Sequence, residues 1–180
     1  MASEPEAQVL LKPIDIANKM RRLALQILER HPQGGLQFVG IHTRGVLVAE
    51  RVRQHLQTDL GEIPLGTLDI SLYRDDLDDL GALPSLKSTD IPFSIDDAHI
   101  ILIDDVLFTG RTIKAAIDAL TDYGRPRSIE LAVLIDRGNR ELPIAPNYVG
   151  LEVVTTKRDY ISVRLREHDN EDGIYLTKNL

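Results

Sequence analysis

The sequence predicts an α/β fold: a central, mostly parallel sheet flanked by helices. Two observations carry this. Short apolar runs alternate with amphipathic stretches over the first two thirds of the chain, the order that lays crossover helices on both faces of a parallel sheet. Three polar loops, HTRG, DDVLFTGR and DRGNR, each follow an apolar run immediately, at the strand ends where open α/β sheets bind ligands. At 180 residues, 43% hydrophobic and 27% charged, the chain fits a single ordinary domain with a core of its own, spanning 1–180.

Taken in order, Pro13 sits where a helix start favours it, and Ile16, Met20, Leu23, Ala24, Ile27 and Leu28 repeat at three and four residues. Gly34 and Gly35 close this amphipathic helix, and Leu36 to Ile41 reads as a short buried strand. After HTRG a second helical pattern runs from about Val46 to Gln57, then a strand from Thr67 to Tyr73. Residues 74–97 read as a long loop, a length that in compact domains marks a lid, a binding loop or a disordered segment. His99 to Ile103 is a strand ending on two acids, followed by a loop and a helix from Thr112 to about Tyr123, stopped by Gly124 and Pro126. Ser128 to Ile135 and Tyr148 to Val154 are further strands, and from Thr155 only two short alternating stretches remain, ISVRL and GIYLT.

Several function classes fall away. With no cysteine, thiol nucleophiles, thiolate zinc sites and iron-sulfur clusters are excluded. The histidines at 31, 42, 55, 99 and 168 lack metal-ligand spacing, although His42 adjoins a candidate loop. No apolar run approaches the ~20 residues that span a bilayer, and the acidic start MASEPEAQ is unlike a signal peptide, so the expectation is a cytoplasmic protein with no membrane partner. A net charge of -7 confines any nucleic-acid contact to a local basic patch.

The chemistry concentrates in ILIDDVLFTGRT. A helix start offers unpaired amides and the positive end of the helix dipole, and Gly110 lets a phosphate approach the backbone. Thr109 and Thr112 add hydroxyls, and Asp104 and Asp105 can accept from sugar hydroxyls or meet a hydrated magnesium ion. Together these residues describe a phosphorylated sugar. A Walker loop is excluded because Gly-Lys-Ser/Thr does not occur, and an Asp-x-Asp phosphatase motif because Val106 stands two residues after Asp104.

On these residues, Ile100 to Thr112 resembles the phosphoribosyl-diphosphate signature of the type I phosphoribosyltransferases, in which apolar strand residues precede two acids and Thr-Gly-x-Thr. HTRG, LYRDDL and GRPRSIELAVLIDRGNRELP further resemble the subgroup that joins uracil phosphoribosyltransferase activity to regulation of pyrimidine genes, over about Ile14 to the C-terminus.

The resemblance implies the type I fold, with a small hood from residues of about 1–13 and 155–180 and a flexible loop at about 74–97. It implies that Val106, Leu107, Phe108, Thr109, Gly110, Arg111 and Thr112 surround the 5-phosphate, Asp104 and Asp105 the ribose, and Thr43 and Arg44 the diphosphate, with a non-proline cis peptide expected at Thr43-Arg44. Arg74 and Asp105 are the catalytic candidates, and magnesium is held by substrate oxygens, with no protein side chain named as its ligand. Arg137 and the backbone of Ile161 are the base contacts, although an ion pair of Arg137 with Asp136 or Glu141 is an alternative.

The implied ligands are 5-phosphoribosyl 1-diphosphate, uracil and UMP, and the implied assembly is a homodimer or higher homo-oligomer. An mRNA leader is the implied regulatory partner. Its candidate contacts are Lys19, Arg21, Arg22 and Arg140, with Arg30, Arg125, Arg127 and Arg137 on the same basic face; Leu25 stands where several members are polar. A purine phosphoribosyltransferase without RNA binding, or a nucleotide-sensing regulator without catalysis, are the alternatives.

Overall fold

The computed structural model describes residues 7–73 and 89–178. The chain opens with β1 (Ala7–Leu11) and α1 (Pro13–Arg30), where Pro13 takes the first helical turn and the Asp15 carboxylate accepts from the Lys12 amide at 3.1 Å. Its apolar stripe buries Ile16, Met20, Leu23, Ala24 and Ile27, the repeat visible in the sequence. Then follow β2 (Leu36–Ile41), α2 (Arg44–Leu60), β3 (Leu65–Leu68) and a short 3-10 turn at Ser71–Tyr73. After residue 89 come β4 (His99–Leu107), α3 (Arg111–Thr121), β5 (Ser128–Asp136), β6 (Tyr148–Glu152), β7 (Tyr160–Arg164), α4 (Arg166–Asp169) and β8 (Gly173–Thr177).

Five strands form a wholly parallel sheet in the order β3-β2-β4-β5-β6. The chain leaves β2 through α2 towards β3 on one side, and leaves β4 through α3 towards β5 on the other. The carboxyl ends of β2 and β4 therefore flank a crevice where the strand order reverses. α1 and α2 pack on Phe38, Ile101, Ile103 and Leu134 on one face; α3 packs on Val39, Ile100, Leu102 and Val133 on the other. Successive residues of β4 thus face opposite layers, and both are apolar because both faces are covered. Among the described residues no helix is long and apolar enough to cross a membrane.

A second, antiparallel sheet in the order β1-β8-β7 joins the two ends of the chain, pairing Ala7 with Thr177 and Ile161 with Leu176. Its inner residues Ile161, Val163, Ile174 and Leu176, with Leu165 just after β7, belong to the core under α1 and α2.

Three features near the crevice differ from expectation. The strand expected over Thr67 to Tyr73 ends at Leu68, because the Asp69 carboxylate accepts from both the amide and the hydroxyl of Ser71, and this side-chain turn takes the backbone out of the sheet. Conversely, β4 does not stop before its acids: it runs through Asp104 and Asp105 to Leu107, held by an equally long β5, with Asp104 opposite Val133 and Leu107 opposite Asp136. The cis peptide lies at His42-Thr43, not Thr43-Arg44; Arg44 already begins α2, whose regular backbone is built from trans peptides.

Candidate active site

Two glycines let α2 start directly over the sheet. A β-carbon on Gly40 would lie 2.5 Å from Val46 Cα, and one on Gly45 2.6 Å from the Ile103 carbonyl oxygen. With no side chain between them, the loop at His42 and Thr43 comes down beside Asp104. Around the crevice, Ile41, His42, Thr43, Arg44, Asp69, Ile70, Ser71, Asp104, Asp105, Val106 and Thr112 line a cavity of about 330 Å³. Asp69 and Ser71 were missed by reading Thr67 to Tyr73 as one strand; the Asp-x-Ser spacing was the available signal.

The acids occupy different environments. Asp104 is only 6% exposed and accepts from the Asp105 amide at 2.9 Å; burial pushes its carboxyl well above the usual range, and the neighbouring Asp105 charge adds to the rise. Asp105 is half-buried and accepts from the Val106 amide at 2.9 Å.

The loop between β4 and α3 is shaped from behind by the segment after β5. Leu107 C=O accepts from the Arg137 amide at 3.0 Å, Phe108 C=O from Arg140 Nη1 at 2.9 Å, and Thr109 C=O from the amides of Glu141 and Leu142 at 2.9 and 3.1 Å. Because a trans peptide points its N–H opposite its C=O, the amides of Phe108, Thr109 and Gly110 face away from that segment. Gly110, at φ 94°, turns the chain into α3 as its N-cap, and the first intrahelical bond runs from Lys114 N–H to Gly110 C=O. At the helix start the Arg111 amide donates to Thr109 Oγ1 at 3.4 Å, and the first turn of α3 turns its amide end to the same concavity, which Thr112 lines. Arg111 is exposed and paired with Glu141 at 3.0 Å.

Arg44 lies in the cavity wall and donates through Nε and Nη2 to Asp169 at 3.0 and 2.6 Å. These bonds hold its guanidinium further above its ordinary value than desolvation lowers it, and hold Asp169 below the usual carboxylate range.

Beside the first cavity, Asp136, Arg137, Gly138, Asn139, Glu152, Val153, Val154 and Thr155 line a second of about 330 Å³. Arg137 is 5% exposed, stacks at 4.0 Å over the Phe108 ring, and donates to Thr155 Oγ1 and to the carbonyls of Thr156 and Asp159. Asp136 pairs with Arg140 and Glu141 with Arg111 and Lys157, so neither acid is the partner of Arg137. Ile161 buries its side chain in the main core from β7.

Of the basic residues, Arg21 and Arg22 are exposed on α1 beside Leu25, and Lys19 is half-buried. Arg140 differs from them: its guanidinium reaches Ile144 C=O, Phe108 C=O, Gly138 C=O and Asp136, which makes it a brace of the loop rather than part of a solvated basic face. Arg140→Met is therefore expected to speed backbone amide exchange at 107–110 by about tenfold while stability falls by less than about 2 kcal/mol, measured by hydrogen exchange and thermal unfolding. Arg74 and residues 75–88 lie outside the described residues.

Comparison with known proteins adds findings of three kinds. The phosphoribosyl transferase domain matches residues 10–168. The chain is 52% identical to the "Bifunctional protein PyrR" of Latilactobacillus sakei over 161 residues, 87% of this chain and 90% of the relative. It is 48% identical to the protein of the same name from Pelotomaculum thermopropionicum over 178 residues, 98% and 97% of the two chains. In fold it is similar to a hypoxanthine-guanine phosphoribosyltransferase of Bacillus anthracis, with TM-score 0.74 and 17% identity, covering 98% of this chain and 100% of that one. A hypoxanthine phosphoribosyltransferase of Staphylococcus aureus is similar at TM-score 0.71 and 24% identity, over 99% and 98%.

Proposed function

We propose, from the premise that this chain belongs to the phosphoribosyl transferase family and within it to the bifunctional PyrR group, that it transfers the phosphoribosyl group of 5-phosphoribosyl 1-diphosphate to uracil, giving UMP and diphosphate, and regulates pyrimidine genes by binding their RNA. The single observation that supports the transferase most is the loop at 107–110, whose carbonyls are tied back so that its amides face one concavity with the start of α3.

In this assignment the loop amides and the hydroxyls of Thr109 and Thr112 hold the 5-phosphate, as a helix start suits a dianion. Asp104 and Asp105 accept from the ribose hydroxyls, fixing the anomeric carbon between the diphosphate and the base. Thr43 and Arg44 hold the diphosphate, and the Arg44 guanidinium meets the negative charge that grows on it as the bond to the anomeric carbon breaks. The base takes the second cavity, where Arg137 is fixed by its carbonyl partners and the Phe108 ring.

The donor set fits magnesium carried chiefly by the diphosphate: two adjacent carboxylates floor the cavity, and no group of three or more His, Asp or Glu among the described residues forms a metal cage. When bound, the ion neutralises charge on the leaving diphosphate.

Formation of UMP from uracil and 5-phosphoribosyl 1-diphosphate with magnesium is the direct test. Turnover of hypoxanthine or guanine in place of uracil reassigns the base. For the regulatory role, the exposed pair Arg21 and Arg22 on α1 is the proposed RNA contact. RNA affinity is expected to fall steeply with salt and to rise with UMP, and replacing one phosphate-contacting arginine by glutamine should lessen the log-log salt slope by about 1. An unchanged slope and no response to UMP leave the enzyme alone.

A further inference from the structure

Two arginines two turns apart on α2 clasp the same C-terminal segment. Arg51 donates to both oxygens of Glu167, at 2.9 and 2.6 Å, and to Asp172 at 2.7 Å. Arg44 makes its own two-point pair with Asp169. The clasps differ in what lies beside them. Arg44 is in the wall of the active-site cavity, whereas Arg51 is not among its lining residues. Asp169 is also anchored independently of Arg44: it accepts from the Leu165 amide at 2.9 Å, and its side chain is 15% exposed.

A guanidinium carries five N–H donors in a rigid fork. Asp169 engages the edge formed by Nε and Nη2, which leaves the Nη1 end for a second anion. We propose that Asp169 is a positioning residue for diphosphate: it fixes the Arg44 fork in the cavity wall, so that a carboxylate of the C-terminal hood sets how tightly the diphosphate end of the substrate is held. An unpaired arginine on a flexible stem would have to be ordered by each incoming ligand, and a pre-oriented one is not. The inference rests on the assignment of Arg44 to the diphosphate.

Titration calorimetry of the full chain with magnesium diphosphate and with UMP separates positioning from scaffolding, because UMP has no diphosphate. Asp169→Asn is expected to weaken diphosphate binding, and to raise KM for 5-phosphoribosyl 1-diphosphate, by about tenfold. UMP affinity and the KM for uracil should stay within about twofold. Asp169→Glu, which keeps the carboxylate, should recover most of the lost affinity. Arg51→Met, which opens only the other clasp, should lower Tm yet leave diphosphate binding unchanged.

Unchanged diphosphate affinity in Asp169→Asn overturns the proposal, and so does an equal loss for UMP, which marks a structural role. Asp169→Ser, assayed in the same way, stands in if Asp169→Asn does not fold. Failure of the wild-type chain to bind either ligand instead sinks the transferase assignment itself, a separate outcome.

Discussion

Replacing Asp104 and Asp105 together by asparagine is expected to lower kcat/KM for 5-phosphoribosyl 1-diphosphate by roughly 10²- to 10⁴-fold, with the fold retained. Each hydrogen bond from a ribose hydroxyl to a carboxylate contributes about 1.5 to 3 kcal/mol, and each ~1.36 kcal/mol is one decade in rate. The same change should raise Tm at neutral pH. Burial holds the Asp104 carboxyl well above its usual range, and the Asp105 charge adds to it. A carboxyl raised in the folded state contributes its full stability below its unfolded value, and that contribution is lost as pH rises through the raised value. The Tm of Asp104→Asn should therefore match that of the wild type near pH 4 and exceed it increasingly at higher pH. Thermal unfolding across pH measures this; a gap independent of pH would mean that the buried charge is not what costs stability. A gap that grows with pH would show the acid at the floor of the cavity to be retained at the expense of stability, as functional sites commonly are.

Gly45→Ala is the second large effect, expected to cost about 2 to 3 kcal/mol and to remove most of the activity. A β-carbon there meets the Ile103 carbonyl at 2.6 Å and Asp104 Cα at 3.1 Å, both main-chain atoms of the central strand that cannot swing aside as a side-chain tip can. α2 must lift from β4, which carries Thr43 and Arg44 away from Asp104. Gly40→Ala should act from below in the same way, since its β-carbon would lie 2.5 Å from Val46 Cα. For a domain of this size such a loss corresponds to a fall in Tm of about 4 to 12 °C. A fall in kcat/KM beyond the loss of folded protein would show that the spacing of helix and strand matters to the site itself; equal falls would assign the whole effect to stability.

Much of the molecule was legible in the residues. The three-and-four repeat of Ile16, Met20, Leu23, Ala24 and Ile27 specifies α1, because a helix packed on one side of a sheet needs one apolar stripe. The unbroken apolar run Ile100 to Ile103 specifies a strand covered on both faces, and the acids and Thr-Gly-Arg-Thr that follow specify the strand, tight turn and helix start that must adjoin for amides to converge. Less legible was β1, five residues with one buried position, whose pairing partner β8 lies at the far end of the chain. The end of β3 depended on one side chain, that of Asp69, competing with the sheet for the Ser71 amide.

The sequence by itself determined most of the elements, their order and a loop whose residue types suit a phosphorylated ribose, since these rest on local periodicity and on adjacency along the chain. Tertiary structure alone decided what holds those residues in place. The loop at 107–110 is aimed by carbonyl contacts from the segment after β5, Arg140 is a brace rather than an exposed charge, and Arg44 is gripped by Asp169 from the other end of the chain. The physical reason is that a hydrogen bond depends on distance and angle in space, and no spacing in the sequence records which of many acids and carbonyls arrives opposite a given arginine once the sheet has assembled.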